Sequence, residues 1–259
     1  MEIVCIIPTR MGSSRFRGKP LAPILGRPMV EHVYRRAILC KALSAVYVAT
    51  CDDEIRRAVE AFGGRVVMTS PAHERASDRA AEASEGLRAD VVVMLQGDEP
   101  MVTPEMIGAV VEPFVEDATI VCTNLVKRIE REEEFEDRNT IKVVMDERKF
   151  ALYFSREPIP TRRIVGFGGL PAYKQVCVIP FRREFLLEFA QLRPTPLEQA
   201  ESIDMLRVLE HGYRVKLVET SENTQAVDTP GDLALVESLM RWDPLVRTYA
   251  GTGVPGGRE

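Results

Sequence analysis

Short apolar runs alternate with stretches of helical periodicity along the first part of the chain. Positions 3–7 (IVCII) form a run rich in β-branched residues that Pro8 stops, the signature of a buried parallel strand. Over 29–43, Met29, Val33 and Ala37 recur at helical spacing, with Arg35 and Arg36 facing away. A second strand is predicted at 45–50 (AVYVAT). Asp52 or Asp53 then caps a helix through Phe62, which Gly63 and Gly64 end. A third strand at 65–68, a helix at 77–87 and a fourth strand at 91–95 (VVVML) follow. This β-α-β-α-β-α-β order with short connections predicts an α/β fold, a mostly parallel twisted sheet with helices on both faces. Ligands of such sheets bind beyond the carboxyl ends of the strands. The segments 8–20 and 96–100 follow the first and fourth strands, so both belong to that edge.

The second half is more mixed. Strands are predicted at 118–125, 141–145, 173–180 and 214–218, and helices at 182–192, 195–211 and 229–240. The charge run 127–138 (KRIEREEEFEDR) reads as a solvated loop or helix, and 166–171 (GFGGLP) as a flexible connection. The expected organisation is a single domain over 1–245 with a flexible tail at 246–259.

Composition narrows the function classes. With 259 residues and 45% hydrophobic content, a packed core is within reach. The net charge of −5 argues against a general nucleic-acid binder, though a local basic cluster can still hold a small anion. Cys5, Cys40, Cys51, Cys122 and Cys177 match no zinc or redox spacing and read as buried thiols of a reducing compartment. No apolar run is long enough to span a bilayer, and a cytoplasmic location is expected.

The chemistry concentrates in a few segments. Between Ile3 and Val30 there is no acidic residue, whereas Arg10, Arg15, Arg17, Lys19 and Arg27 are interleaved with Gly12, Ser13, Ser14 and Gly18. Small residues let backbone N–H groups approach a ligand, and the cations neutralise a polyphosphate. Asp98, in Gln96-Gly97-Asp98-Glu99-Pro100 after the fourth strand, is placed either to hold Mg²⁺ on a nucleotide or simply to form a turn. Asp228, before Thr229-Pro230, is equally either a second metal carboxylate or a helix N-cap.

The segments 6–21 (IIPTRMGSSRFRGKPL), 96–100 (QGDEP), 151–160 (ALYFSREPIP) and 226–233 (AVDTPGDL) together resemble the 3-deoxy-D-manno-octulosonate cytidylyltransferases, or CMP-KDO synthetases, from about residue 3 to 240. The resemblance implies a nucleotide-diphospho-sugar transferase (GT-A-like) fold and a homodimer, with a nucleotide-binding half (1–115) and an acceptor- and dimer-forming half (116–245). It also implies a reaction of CTP with a small acidic acceptor that releases pyrophosphate. By it, Arg10, Ser13, Arg15 and Lys19 would grip the triphosphate, Pro8 and Thr9 would pass the cytosine, and Gln96 would lie near base and ribose. Ser77, Asp78 and Arg79 would stand near the nucleotide, and Asp98 and Asp228 would hold Mg²⁺. Catalysis would then rest on Lys19, Arg10, Arg15 and Asp98, through charge stabilisation rather than a nucleophilic side chain.

The chain departs from the family on the acceptor side. Gln175 and Ile179 stand where the family has a His and a Tyr, and Met205 replaces a Gln. Arg156, Gln175 and Asp204 are the acceptor-binding candidates, with Arg162 and Arg163 also available. Losing polar groups from a polyol pocket weakens recognition of hydroxyls. The sequence therefore predicts CTP as donor, with a KDO-like sugar acid or a phosphonate as acceptor. KDO itself is expected to be a poor substrate. The reading from another class is a non-catalytic nucleotide sensor.

Overall fold

The computed structural model describes residues 1–12, 16–169 and 171–249. The first half follows the predicted order: β1 (Ile3–Pro8), α1 (Met29–Ala37), β2 (Ala45–Thr50), α2 (Asp53–Ala61), β3 (Val66–Met68), α3 (Ala76–Glu85) and β4 (Val91–Leu95). Next come α4 (Pro104–Val111), β5 (Cys122–Arg128), β6 (Lys142–Met145), β7 (Ala151–Ser155), β8 (Tyr173–Val176) and β9 (Val178–Arg182). The chain continues through α5 (Arg183–Gln191), α6 (Pro196–Glu201), α7 (Asp204–Glu210), β10 (Val215–Thr220), α8 (Pro230–Met240) and α9 (Pro244–Tyr249).

Among the described residues, ten strands form one sheet in the order β3-β2-β1-β4-β9-β5-β8-β6-β7, with β10 beside β5. β1 pairs in parallel with β2 and β4, β2 with β3, and β5 with β10. β9 runs antiparallel to both β4 and β5, β8 to β5 and β6, and β6 to β7. The sheet is therefore mixed, which corrects the mostly parallel expectation. The cause lies in the connections. Helical crossovers return the early strands in one direction, whereas a tight turn joins β6 to β7 and reverses the chain there.

Alternation along β1 explains the two-layered core. Ile3, Cys5 and Ile7 pack with Val30, Val33, Ile55 and Val59 on one face. Val4 and Ile6 pack with Ala80, Met94, Phe181, Phe185 and Phe189 on the other. Several boundaries differ from the sequence reading. The helix predicted over 195–211 is broken at Ser202, which adopts a left-handed conformation (φ 54°) between α6 and α7. α4 and β7 were not anticipated as elements. Residues 246–249, expected in the tail, belong to α9, where Val246 is buried; 250–259 lie outside the described residues. Arg36, expected to face away from the core, is fully buried, and its guanidinium pairs with Asp243 and donates to the Val102 carbonyl at 3.2 Å. No helix among the described residues is long and apolar enough to cross a membrane.

Candidate active site

Three loops meet beyond the carboxyl ends of β1 and β4. The first leaves β1 at Pro8. Thr9 N–H donates to the Ala49 carbonyl, and Met11 N–H donates to Asp52 Oδ2 at 2.8 Å, which turns the chain across the sheet edge. The loop returns at Gly18, whose φ of +74° suits a residue without a side chain and whose N–H donates to the Met11 carbonyl. Lys19 follows at once, so its side chain projects from the base of the loop. Arg10 is exposed at the loop's start. Ser13 and Arg15 lie outside the described residues.

The second loop is Gln96-Gly97-Asp98-Glu99. A Cβ on Gly97 would come 2.4 Å from Thr9 Cγ2, so glycine is what lets this loop press against the first. Glu99 is buried and accepts from Cys177 N–H (3.0 Å) and Thr224 Oγ1 (3.1 Å). It thereby ties the β8–β9 break and the segment before Asp228 to the end of β4. Burial, with the Asp98 charge adding to it, pushes the Glu99 carboxyl up to about 7.

The third loop carries Asp228, and Val227 N–H donates to the Asp98 carbonyl (2.9 Å), which brings the two aspartates together. The N-cap of α8 is Thr229, in a reciprocal capping box with Asp232. The cap reading of Asp228 therefore falls away, and its carboxylate faces Lys19. Lys19 Nζ lies 2.8 Å from Asp98 Oδ2 and 3.4 Å from Asp228 Oδ1. Burial acts to lower the Lys19 pKa, but Asp98 and then Asp228 outweigh it and hold the ammonium above its ordinary value.

Two adjoining cavities open here. One, of about 380 Å³, is lined by Pro8, Thr9, Arg10, Lys19, Arg79, Gln96 and Asp98. The other, of about 570 Å³, is lined by Arg10, Gln96, Asp98, Arg156, Gln175, Asp204 and Asp228. Each is of the size that takes one small ligand. Arg10, Gln96 and Asp98 line both. Thr9 Oγ1 is buried without a hydrogen-bond partner among the described residues.

Other predicted residues sit differently. Ser77 is fully buried and lines neither cavity; its hydroxyl donates to Asp204 Oδ2 at 2.7 Å, so it supports the larger cavity rather than facing the smaller. Arg79 is nearly buried and frames the 69–73 loop, donating to Thr69 Oγ1 and to the carbonyls of Ser70 and His73. Arg156 donates from Nε, Nη1 and Nη2 to the carbonyls of Glu201, Arg138 and Ser202. Gln175 Nε2 donates to Asn124 Oδ1. Ile179 and Met205 line the larger cavity but are only 2% and 1% exposed, with most of each side chain in the core.

Sequence reasoning passed over Glu99 and Lys142. Lys142 is fully buried in β6, and its ammonium donates to the carbonyls of Asp137 (2.9 Å), Thr140 (2.7 Å) and Arg156 (2.5 Å). Burial lowers its pKa, with Asp137 and Glu157 opposing. A lysine inside the run Ile141-Lys142-Val143-Val144 was the available signal, since a strand buried on both faces rarely admits a charge.

A sequence profile described as cytidylyltransferase matches residues 4–221. The 3-deoxy-manno-octulosonate cytidylyltransferase of Geotalea uraniireducens is 47% identical over 245 residues, covering 91% of this chain and 98% of that protein. The enzyme of the same name from Geobacter metallireducens is 47% identical over 252 residues, covering 93% and 99%. The solved structure of CMP:2-keto-3-deoxy-manno-octonic acid synthetase complexed with CTP superimposes with a TM-score of 0.86 at 38% identity, covering 93% of this chain and 98% of that one. The 4-diphosphocytidyl-2C-methyl-D-erythritol synthase of Anaerococcus prevotii, at 13% identity and a TM-score of 0.61 over 93% and 98% of the two chains, shares the fold alone. With its motif loops gathered at one sheet edge and its relatives matched over nine-tenths of its length, the chain belongs to the 3-deoxy-manno-octulosonate cytidylyltransferase (CMP-KDO synthetase) family and is a CTP-dependent nucleotidyltransferase.

Proposed function

We propose that the chain transfers the cytidylyl group of CTP to 3-deoxy-manno-octulosonate and releases pyrophosphate. The observation that carries this reading is the convergence of Lys19, Asp98 and Asp228 across two adjoining cavities. The nucleotide takes the smaller cavity. Arg10 and Lys19 meet its phosphates there, and Pro8, Thr9 and Gln96 stand for base and ribose. Ser13 and Arg15 are assigned to the same phosphates from the family resemblance alone. An acceptor hydroxyl oxygen in the larger cavity bonds to the α-phosphorus and gives up its proton to solvent as the bond from that phosphorus to the bridging oxygen breaks and pyrophosphate leaves. The developing charge on the phosphoryl oxygens falls beside Arg10 and Lys19.

Mg²⁺ fits the donor set. Asp98 and Asp228 are hard oxygen ligands that already share one cation, the Lys19 ammonium. No group of three His, Cys, Asp or Glu among the described residues is arranged to hold a metal, so phosphate and water would complete the shell, as Mg²⁺ favours. Asp98 and Asp228 would hold the ion, which would withdraw charge from the phosphoryl oxygens.

On the acceptor side, the substitutions that suggested a phosphonate lose weight. Gln175, Ile179 and Met205 line the larger cavity, but Ile179 and Met205 present almost no surface to it and the Gln175 amide is engaged by Asn124. Relatives matched over nearly their whole length are sugar-acid enzymes by name, which supports the sugar acid and leaves the phosphonate without support. The homodimer implied by the resemblance is kept as part of this reading; exposed Leu152, Ile164 and Val165 lie in the half assigned to it. The test is pyrophosphate release from CTP, Mg²⁺ and a panel of acids, with the product mass determined. The expected result is a CMP–sugar-acid adduct with 3-deoxy-manno-octulosonate. Turnover with small phosphonates and none with this acid would overturn the assignment.

A further inference from the structure

The larger cavity is acidic for a site that takes an anion: Glu74, Asp98, Asp204 and Asp228 all line it. An acidic acceptor must find a cation there with N–H groups to offer. Arg156 donates from each of its three nitrogens to the carbonyls of three residues, which spends three of its five N–H groups and holds the side chain as framework. Lys174 is paired with Glu134 and donates to the Thr224 carbonyl. Arg10 and Lys19 are assigned above to the nucleotide phosphates.

Arg75 is different. It lines both cavities, with its side chain 28% exposed. Its Nη1 donates to Ser202 Oγ at 3.1 Å and stands 3.3 Å from Asp204 Oδ1. Those contacts anchor one edge of the guanidinium to the left-handed residue between α6 and α7 and to the carboxylate that Ser77 also holds. Nε and Nη2 reach no partner among the described residues. A guanidinium tethered by one nitrogen and open on the other edge matches the fork of a carboxylate.

We propose that Arg75 is a specificity-determining residue that receives the carboxylate of the acidic acceptor. This rests on the reading of the larger cavity as the acceptor site. One carboxylate oxygen bonds Nε–H and the other Nη2–H, while Ser202 and Asp204 hold Nη1 and fix the orientation of the guanidinium. Arg75 takes no part in bond making; it sets where the acid sits relative to the α-phosphorus.

The experiment is steady-state pyrophosphate release by wild type, Arg75→Gln and Arg75→Lys, with CTP and 3-deoxy-manno-octulosonate varied in turn. The carboxamide of the sugar acid serves as a neutral second acceptor. Losing one charge-assisted bidentate contact should raise the acceptor KM about 10- to 100-fold in Arg75→Gln. The CTP KM should move far less than the acceptor KM, because Arg75 borders the nucleotide cavity while its open fork is assigned to the acceptor carboxylate. Arg75→Lys should recover part of the loss, and the wild-type preference for acid over carboxamide should collapse in Arg75→Gln. A purely structural role would shift both KM values together and leave that preference intact. An active wild type with an unchanged acceptor KM in Arg75→Gln, or with an equal rise in the CTP KM, overturns the role of Arg75 and leaves the functional reading standing. A wild type inert toward this acid overturns both.

Discussion

Acidification should unlatch the C-terminal helix from the nucleotide side of the molecule through a single imidazole. His32 in α1 is fully buried. Its Nε2 is 2.8 Å from the Ile24 carbonyl and therefore carries the proton, so Nδ1, 2.9 Å from Tyr249 Oη, accepts from the hydroxyl. Tyr249 Oη also accepts from Arg36 Nε at 3.2 Å. A second proton on His32 would point at that same oxygen and place a buried charge near Arg36 and Arg27, opposed by the Ile24 carbonyl and the Glu31 carboxylate. Burial is the largest cause that lowers the His32 pKa from 6.5 to about 4; the Ile24 carbonyl acts against it and the Arg36 charge adds to it. The folded value lies below the unfolded one, so this stabilisation is complete above about pH 6.5. It is lost as pH falls toward 4 and changes no further below that. At roughly 1.4 kcal/mol per pH unit, the full loss is about 3 kcal/mol. The assay is urea unfolding followed by circular dichroism from pH 8 to 4, with His32→Gln as reference. Carboxylate titrations common to both proteins cancel in the difference. The wild-type advantage should shrink by about 3 kcal/mol across that window. A difference that stays flat, or an imidazole that titrates near 6.5 by NMR, would refute the reasoning.

The remaining predictions concern the site and its walls. Asp98→Asn and Asp228→Asn should each lower kcat by about 100-fold or more while leaving the thermal midpoint within a few degrees, and chelating divalent ions should stop pyrophosphate release by wild type; near-normal rates in either variant would remove the metal role. Lys142→Met should strand three carbonyls and cost about 3 kcal/mol, seen as a fall in Tm of roughly 6–12 °C for a chain of this size. A melt within about 2 °C of wild type would show that those carbonyls find other donors.

Local pattern alone determined a good deal of this protein. The strand at 91–95 coincides with β4, and the second strand with β2, because a short apolar run rich in valine and bounded by polar residues admits few alternatives. Lys19 and Asp98 were legible as well, since an acid-free cationic loop and a strand-end aspartate are features of composition and order. Asp228 was not decidable from its neighbours. Only the fold shows that Thr229 takes the cap and that the Val227 amide on the Asp98 carbonyl brings the two aspartates to one lysine. The strand directions of the second half were equally beyond local pattern, because apolar alternation is identical in parallel and antiparallel strands. Ser77, Arg36, Lys142 and Arg75 make the same point. Whether a polar side chain lines a cavity, supports a neighbour or locks a loop depends on partners far away in sequence: Asp204 for Ser77, Asp243 for Arg36, Arg156 for Lys142, and Ser202 for Arg75. Periodicity can place a residue on a face, but hydrogen-bond satisfaction and desolvation are settled only when distant segments close around it.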